Sequence, residues 1–399
     1  MLFETPALDE RDLAVLDAIE QYRSRLRFHL SKSRRWKGQL RRNLRARAMR
    51  GSNSIEGYEV SLDDAIALLE DDEQALDADQ RTILEVTGYR NAMTYIQELA
   101  DDDHFNFDQS LVRGLHFILL GHDLTKSPGR YRKADIYVLD EDEDEIVYEG
   151  PDSDDVPALM AELVQWMEHA DNEADDAPVL VTAAMAHLNL VMIHPFRDGN
   201  GRMARCLQTM ILTRNQILSQ EFSSIEEWLG KNTQAYYDVL AKTGNGTWSP
   251  ERDASEWVKF NLRAHHMQAQ TVQQRVLLAE ALWSRLATLV ESLGLHERTI
   301  SGLYTASLGL RVRRTTYEQD AEVEAGTAGR DLKALVSADL LKPQGETRGR
   351  YYLRTDTLRD LFTEVRNESR RKLVEPYEAD LEALAPEPRR TRLGSAIAS

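Results

Sequence analysis

The chain has 399 residues, and its 49 Lys and Arg stand against 67 Asp and Glu, a formal net charge of −18 at pH 7. At roughly 150 residues per domain this length predicts two or three domains, and 42% apolar with 29% charged residues is the balance of a folded chain, not a disordered one. No run approaches the roughly 18 apolar residues of a membrane span, the start MLFETPALDERDL lacks a basic segment before an apolar one, and the single cysteine, Cys206, excludes disulfide frameworks and Cys-based metal clusters, so a cytoplasmic globular protein without membrane contact is expected.

In chain order, the first apolar spacing near 3.6 falls on residues 13–27. Residues 23–50 then carry 12 Lys and Arg and no acid, which leaves the rest of the chain at 37 basic against 67 acidic residues. A basic arm is one signature of nucleic-acid binding. Leu26, Leu30, Trp36, Leu40 and Leu44 run through it at near-helical spacing, so an amphipathic helix whose basic face pairs with an acidic body accounts for the same residues. The general acidity opposes DNA binding and favours the helix.

Further helical periods follow at 62–69 and 83–99. Sustained alternation is scarce. Residues 134–139, the acidic run 140–145 and residues 146–148 predict a β-hairpin with a solvated turn. Pro151 and Pro157 restart a helix, with periods at 156–169, 179–193, 203–215 and 272–293. A second β signal comprises 341–344, a turn at 345–349, and 350–353. The tail from about Pro386 is short and polar and is expected to fray. The fold expected is mainly α.

One segment is dense with chemistry: His194-Pro195-Phe196-Arg197-Asp198-Gly199-Asn200-Gly201-Arg202-Met203-Ala204-Arg205. A helix over 179–193 must end at His194, because a residue before proline is pushed out of the α region. Gly199-Asn200-Gly201 can take positive φ, so successive backbone N–H groups can converge on one point. A helix from Met203 onward places that turn at a helix N-terminus, where free N–H groups and the dipole favour an anion. Arg202 and Arg205 are neighbours on one helix face and lean toward the same anion. Backbone donors with two arginines are shaped for a polyphosphate. Asp198 supplies a hard oxygen for Mg²⁺, and His194 can take a proton from a hydroxyl near neutral pH. Phe196 anchors the loop.

Gly199-x-Gly201-x-x-Ala204 also fits the loose dinucleotide fingerprint, but that motif needs a preceding strand, and here the preceding segment is the helix former AAMAHLNL. No G-x-x-x-x-G-K-[ST] or H-E-x-x-H occurs, which removes P-loop and zincin chemistry.

The twelve residues match the pattern HPFx[D/E]GNGRxxR, and the chain thereby resembles the Fic (filamentation induced by cAMP) family. Residues 110–245 look like that family's helical core, with Gly129-Arg130-Tyr131-Arg132 before the hairpin, and the hairpin is similar to the family's target-orienting flap. The resemblance implies His194 as general base, Asp198 as the Mg²⁺ carboxylate, Gly199, Asn200 and Gly201 as the anion hole, and Arg202 and Arg205 on the nucleotide phosphates. Tyr236 and Tyr237 resemble its tyrosine pair near the nucleotide, although an aromatic pair on a helix face is core more often than not. Upstream, Ser52-Asn53-Ser54-Ile55-Glu56-Gly57 resembles the family's inhibitory [S/T]xxxE[G/N] motif, which implies that Ser52 and Glu56 restrain the site and that Glu56 competes for Arg205.

Residues 280–355 look like a winged helix, with a recognition helix N-capped by Thr327 and a wing over 343–352. DNA contact through Arg330, Lys333, Arg348 and Arg350 and a docking or dimerising role are both open. The division expected is 1–105 with the inhibitory motif at 52–57, a catalytic core at 106–250, a connection and winged helix at 251–355, and a helical stretch with a frayed tail at 356–399. The activity implied is transfer of AMP from ATP, with Mg²⁺, to a Ser, Thr or Tyr hydroxyl of a target protein or of the chain itself. Transfer of another nucleotide, removal of AMP with Glu56 orienting a water, and a DNA-binding regulator with a nucleotide-sensing Fic core are the alternatives, and a homodimer is left open.

Overall fold

A computed structural model describes residues 1–386 apart from 32–35, 71, 73–75, 141–144, 173–176, 218–223 and 347–348. Helices dominate, as expected: α1 Glu10–Ser31, α2 Lys37–Ile55, α3 Leu62–Leu69, α4 Gln80–Glu98, α5 Gln109–Leu120, α6 Val156–Asn172, α7 Val179–Ile193, α8 Asn200–Arg214, α9 Glu226–Lys231 and α10 Thr233–Gly244. They are followed by α11 Ser255–Ser292, α12 Ile300–Ser307, α13 Arg314–Ala321, α14 Ala325–Ser337 and α15 Asp356–Ser369. Short polar caps set several starts. Ser61, Asp79 and Asp108 each accept a backbone N–H from the first turn of α3, α4 and α5. None of the described helices is long and apolar enough to cross a membrane.

Two apolar cores divide the molecule. The larger joins the N-terminal segment at Phe3 with α4, α5, α7, α8 and the first half of α11. The second gathers the remainder of α11, α12, α14 and α15. Helix α2 contributes to both: Leu40 and Leu44 lie in the second core, Met49 and Ile55 in the first. The basic arm is therefore packed, though on two helices, the end of α1 and most of α2, where one was expected. Leu26 and Trp36 are buried with Leu40 and Leu44, and Arg42 pairs with Glu70 at 2.6 Å and Asp320 at 2.9 Å. The side chain of Leu30 lies outside the described residues.

Helix α11 runs for 38 residues, far beyond the expected 272–293. Its first half was hidden because polar residues such as His265, His266 and Gln268 are buried there, which blurs the apolar period. The hairpin strands are β1 Tyr137–Asp140 and β2 Glu145–Glu149, antiparallel, and β2 pairs in parallel with β3 Gly246–Thr247. Strand β1 starts later than the expected residue 134 because Arg132 takes the Ala134 carbonyl at 3.0 Å. The hairpin tip, 141–144, lies outside the described residues.

In the C-terminal lobe, β4 Val312–Arg313, β6 Tyr351–Arg354 and β5 Leu341–Gln344 form an antiparallel sheet in that order. Thr327 is not the N-cap of α14. Glu324 takes the extended cap conformation, and Thr327 N–H donates to its carbonyl at 2.9 Å, so the helix starts earlier. Arg330, Lys333 and Arg350 are exposed, while Arg348 and the tail beyond Pro386 lie outside the described residues.

Candidate active site

Helix α7 ends where His194 enters the left-handed region at φ 50°, and Pro195 prevents its continuation. The following turn is braced from inside. Phe196 is buried and stacks on the His116 ring at 3.7 Å. The Asn200 side chain closes the loop by accepting from Phe196 N–H at 2.9 Å and donating to Phe196 C=O at 2.8 Å. That side chain is committed, so Asn200 can offer an anion only its backbone N–H. His116 Nδ1 accepts from Gly129 N–H at 2.8 Å, which assigns its proton to Nε2, donated to the Asp198 carbonyl at 2.9 Å. Gly199 at φ 78° then opens α8, whose first N–H groups point out of the helix, an end that favours an anion.

His194 Nδ1 lies 3.2 Å from the Val191 carbonyl. Donation to that carbonyl leaves Nε2 with a free lone pair, the form a general base needs. Burial pushes His194 down to about 4, helped by the nearby Arg132 charge and opposed by the Val191 bond, Glu56 and Asp198. The imidazole is therefore neutral at pH 7. Arg132 is buried and donates to the His194 carbonyl at 2.9 Å, while its own N–H donates to Pro195 C=O at 2.9 Å. Tyr148 on β2 donates to Met192 C=O at 2.8 Å, so the base of the hairpin is tied to the end of α7.

The arginines occupy separate clamps. Arg205 donates through Nε to Ser52 Oγ at 2.7 Å, and through Nη2 to Ser52 C=O at 3.0 Å and Glu56 Oε1 at 2.8 Å. Arg202 donates through Nη1 to Glu85 Oε2 at 2.6 Å, with its guanidinium 5.3 Å from the Tyr58 ring centroid. Both arginines are buried, and Arg202 Nε and Arg205 Nη1 have no hydrogen-bond partner among the described residues. Orphaned buried guanidinium donors beside a helix N-terminus fit an absent anion. A Cβ on Gly201 would stand 3.3 Å from that unpartnered Arg205 Nη1 and 2.7 Å from Glu56 Oε1, so the turn, the guanidinium and the acid meet at one point.

Glu56 caps the C-terminus of α2, and the helix reaches the site through a close helix–helix contact. A Cβ on Gly51 would meet Glu226 C=O at 2.5 Å, and one on Gly230 would meet Gly51 C=O at 2.6 Å. Of the tyrosine pair, Tyr236 is buried with its hydroxyl 3.0 Å from His187 Nε2. Its ring belongs to the core. Tyr237 is exposed and donates to Ile55 C=O at 3.1 Å, beside Glu56.

Asp198 Oδ1 accepts from Gly199 N–H at 2.6 Å, and Oδ2 lies 2.8 Å from Lys126 Nζ. Burial raises this carboxyl, but Lys126 and Arg202 outweigh burial and hold it below the usual range. Among the described residues no group of three His, Cys, Asp or Glu could hold a metal. A single hard carboxylate still fits Mg²⁺, which keeps waters and takes its remaining ligands from phosphates.

Sequence reasoning missed Glu85, Lys126 and His116. Glu85 had a readable signal: it shares a buried stripe with Tyr89, Ala92 and Ile96, and a carboxylate in such a stripe must be paired. Lys126 and His116 carried none, since their partners lie far along the chain.

Residues 106–212 match the model of the Fic/DOC family. Over 166 residues, 41% of this chain, the sequence is 31% identical to a protein adenylyltransferase Fic of Nematostella vectensis. Over 206 residues, 50% of this chain, it is 33% identical to one of Culex quinquefasciatus. These matches span 36% and 37% of the relatives' own lengths. The fold is similar to that of a Fic family protein from Desulfovibrio desulfuricans, at a TM-score of 0.55 and 22% identity over 88% of this chain and 98% of the other. It is also similar to Fic-1 from C. elegans, at a TM-score of 0.50 and 23% identity over 66% of this chain and 71% of the other.

Proposed function

We propose that this chain, with a Fic domain at its centre, moves AMP from ATP to a hydroxyl of a protein side chain and is held back by Glu56. The observation that carries the reading is a neutral His194 whose Nε2, among the described residues, is free, beside a helix N-terminus lined by two buried arginines with donors that none of the described residues accepts. The target oxygen, losing its proton to Nε2, attacks the α-phosphorus. The bond from that phosphorus to the bridging oxygen breaks, and pyrophosphate leaves. The N–H groups of Asn200 and Gly201 and the guanidinium of Arg205 are fixed before the reaction and meet the charge as it develops. Asp198 would hold Mg²⁺, which supplies positive charge to the leaving group. Tyr237 is the member of the tyrosine pair accessible to a nucleotide.

Inhibition follows from charge competition. One guanidinium fork cannot serve Glu56 and a phosphate together. The C-terminal lobe, with helices α12–α14 ahead of an antiparallel hairpin, supports a winged-helix reading. We place the protein in the cytoplasm, with proteins, itself among them, as targets.

The test uses ATP labelled at the α or the γ phosphate. AMP transfer leaves α-label on protein and no γ-label. Retained γ-label would make the chain a phosphotransferase, and no label from either, with Glu56→Gly in place, would end the reading.

A further inference from the structure

Three carboxylates face three cations across the phosphate side of the site, and each cation already has a protein partner. Arg205 has Glu56, Arg202 has Glu85, and Lys126 has both Glu85 and Asp198. These six side chains balance in charge before a ligand arrives, and His122 Nε2 is a further neighbour of Glu85 Oε1 at 3.3 Å. Lys126 stands apart from the two arginines because it sits on the carboxylate a metal would use.

Lys126 ends the short turn Leu124–Lys126, with Nζ 2.6 Å from Glu85 Oε1 and 2.8 Å from Asp198 Oδ2. Asp198 Oδ1 is engaged by the Gly199 N–H, so both oxygens are in use. A divalent ion binds such an oxygen at about 2.0–2.1 Å. An ammonium on the same oxygen would then stand within a few ångströms of two positive charges, and one of the two must leave.

Glu85 shows where Lys126 goes. Its carboxylate is buried on α4, with Arg202 on Oε2 at 2.6 Å and Tyr58 OH on Oε1 at 3.1 Å. It cannot follow Lys126, but Lys126 can stay on it. Lys126 also lies 5.9 Å from the Tyr58 ring centroid, and its side chain is only 14% exposed, so it is packed in place and does not reach freely into solvent.

We propose that Lys126 is a resident counter-cation for the metal position: it occupies Asp198 until a divalent ion arrives, then yields that oxygen and remains on Glu85 beside the phosphates. The inference rests on the proposed function only in taking a nucleotide triphosphate as the ligand. The chain thereby holds two positioning residues, Glu85 and Lys126, whose effect is to couple metal binding to nucleotide binding.

The coupling is a ratio, the ATP-analogue Kd in EDTA divided by that in Mg²⁺. The probe is α,β-methylene ATP, which cannot be transferred, titrated by calorimetry into the full chain carrying Glu56→Gly. With Lys126→Met the metal-free nucleotide meets a bare Asp198, while the metal finds its oxygen free, so the ratio widens, on the order of tenfold. With Glu85→Gln, Lys126 is left to Asp198 alone and the ratio narrows. With Asp198→Asn, Lys126→Met changes both Kd values alike. Thermal melts confirm that each variant is folded.

A purely structural Lys126 would weaken both affinities by one factor, and an unchanged ratio overturns the inference while AMP transfer stands. A widened ratio in a protein that transfers nothing overturns the proposed function and leaves the inference intact. Absence of nucleotide binding in all variants overturns both.

Discussion

Replacing Glu56 by Gly takes one of two holds off Arg205. The guanidinium is buried, its Nη2 lies 2.8 Å from Glu56 Oε1, and Ser52 supplies the other contacts through Oγ and C=O. A hydrogen bond to a charged group contributes about 1.5–3 kcal/mol, and a phosphate that needs this donor must displace the carboxylate first. At about 1.4 kcal/mol per tenfold, the restraint is worth about 10- to 140-fold. It falls on turnover if ATP binds with its phosphates shifted, because a displacement on the order of 1 Å can lower a rate by about 10²-fold. Glu56→Gly should therefore raise the initial rate of AMP incorporation by one to two orders of magnitude and change the ATP Kd by much less. The variant should also melt lower than the parent, since a buried guanidinium loses its counter-ion. Initial rates with α-labelled ATP and calorimetry on the same preparations decide it. Unchanged rate and Kd would make Glu56 an ordinary solvated acid. A Kd tightened by about 10²-fold with turnover unchanged would refute phosphate misplacement.

Desolvation holds His194 to about 4, so transfer by Glu56→Gly should be flat from pH 6 to 8 and fall as pH drops toward 4, and a rate still rising between pH 6 and 7 would contradict a base held neutral in this way. Burial also lowers His116 to about 4 and His187 and His265 to about 3. The unfolded chain then binds more protons below about pH 6.5, so stability present at neutral pH is lost as pH falls, and Tm measured from pH 7 to 5 should decline. Gly51→Ala places a methyl 2.5 Å from Glu226 C=O and 2.7 Å from Glu227 Cα, both backbone. Helix α2 must shift, so transfer should rise several-fold with Glu56 present and not at all in the Glu56→Gly background; equal effects in the two would refute the link. Asp198→Ala should keep nucleotide binding detectable by calorimetry yet remove most Mg²⁺-dependent transfer, and equal activity in a timed assay would refute the metal assignment.

The chemistry legible in the sequence is the part built from neighbours. His194 to Arg205 form one helix end, one turn and one helix start, so local rules for proline, glycine and helix termini describe their geometry. The hairpin Leu341–Gln344 and Tyr351–Arg354 was readable for the same reason. What joins distant segments was not. Glu85 reaches Arg202 from 117 positions away, and His116 supports the Asp198 carbonyl from 82. The second half of the basic arm and the Ser52–Glu56 motif read as separate features, yet α2 joins them, with its N-terminal half packed into one core and its C-terminal end entering the site. Thr327 suits a cap by its type, but the extended residue before α14 is Glu324, and Thr327 already lies inside the first turn.

The most direct measurement is the initial rate of α-label incorporation by Glu56→Gly with and without His194→Ala, alongside ATP Kd for both. A positioned base contributes about 10²- to 10⁴-fold, so label on protein hydroxyls should fall by that factor while Kd moves only a few-fold. Equal incorporation by the two proteins would contradict His194 as the base and, with it, the mechanism derived from this site.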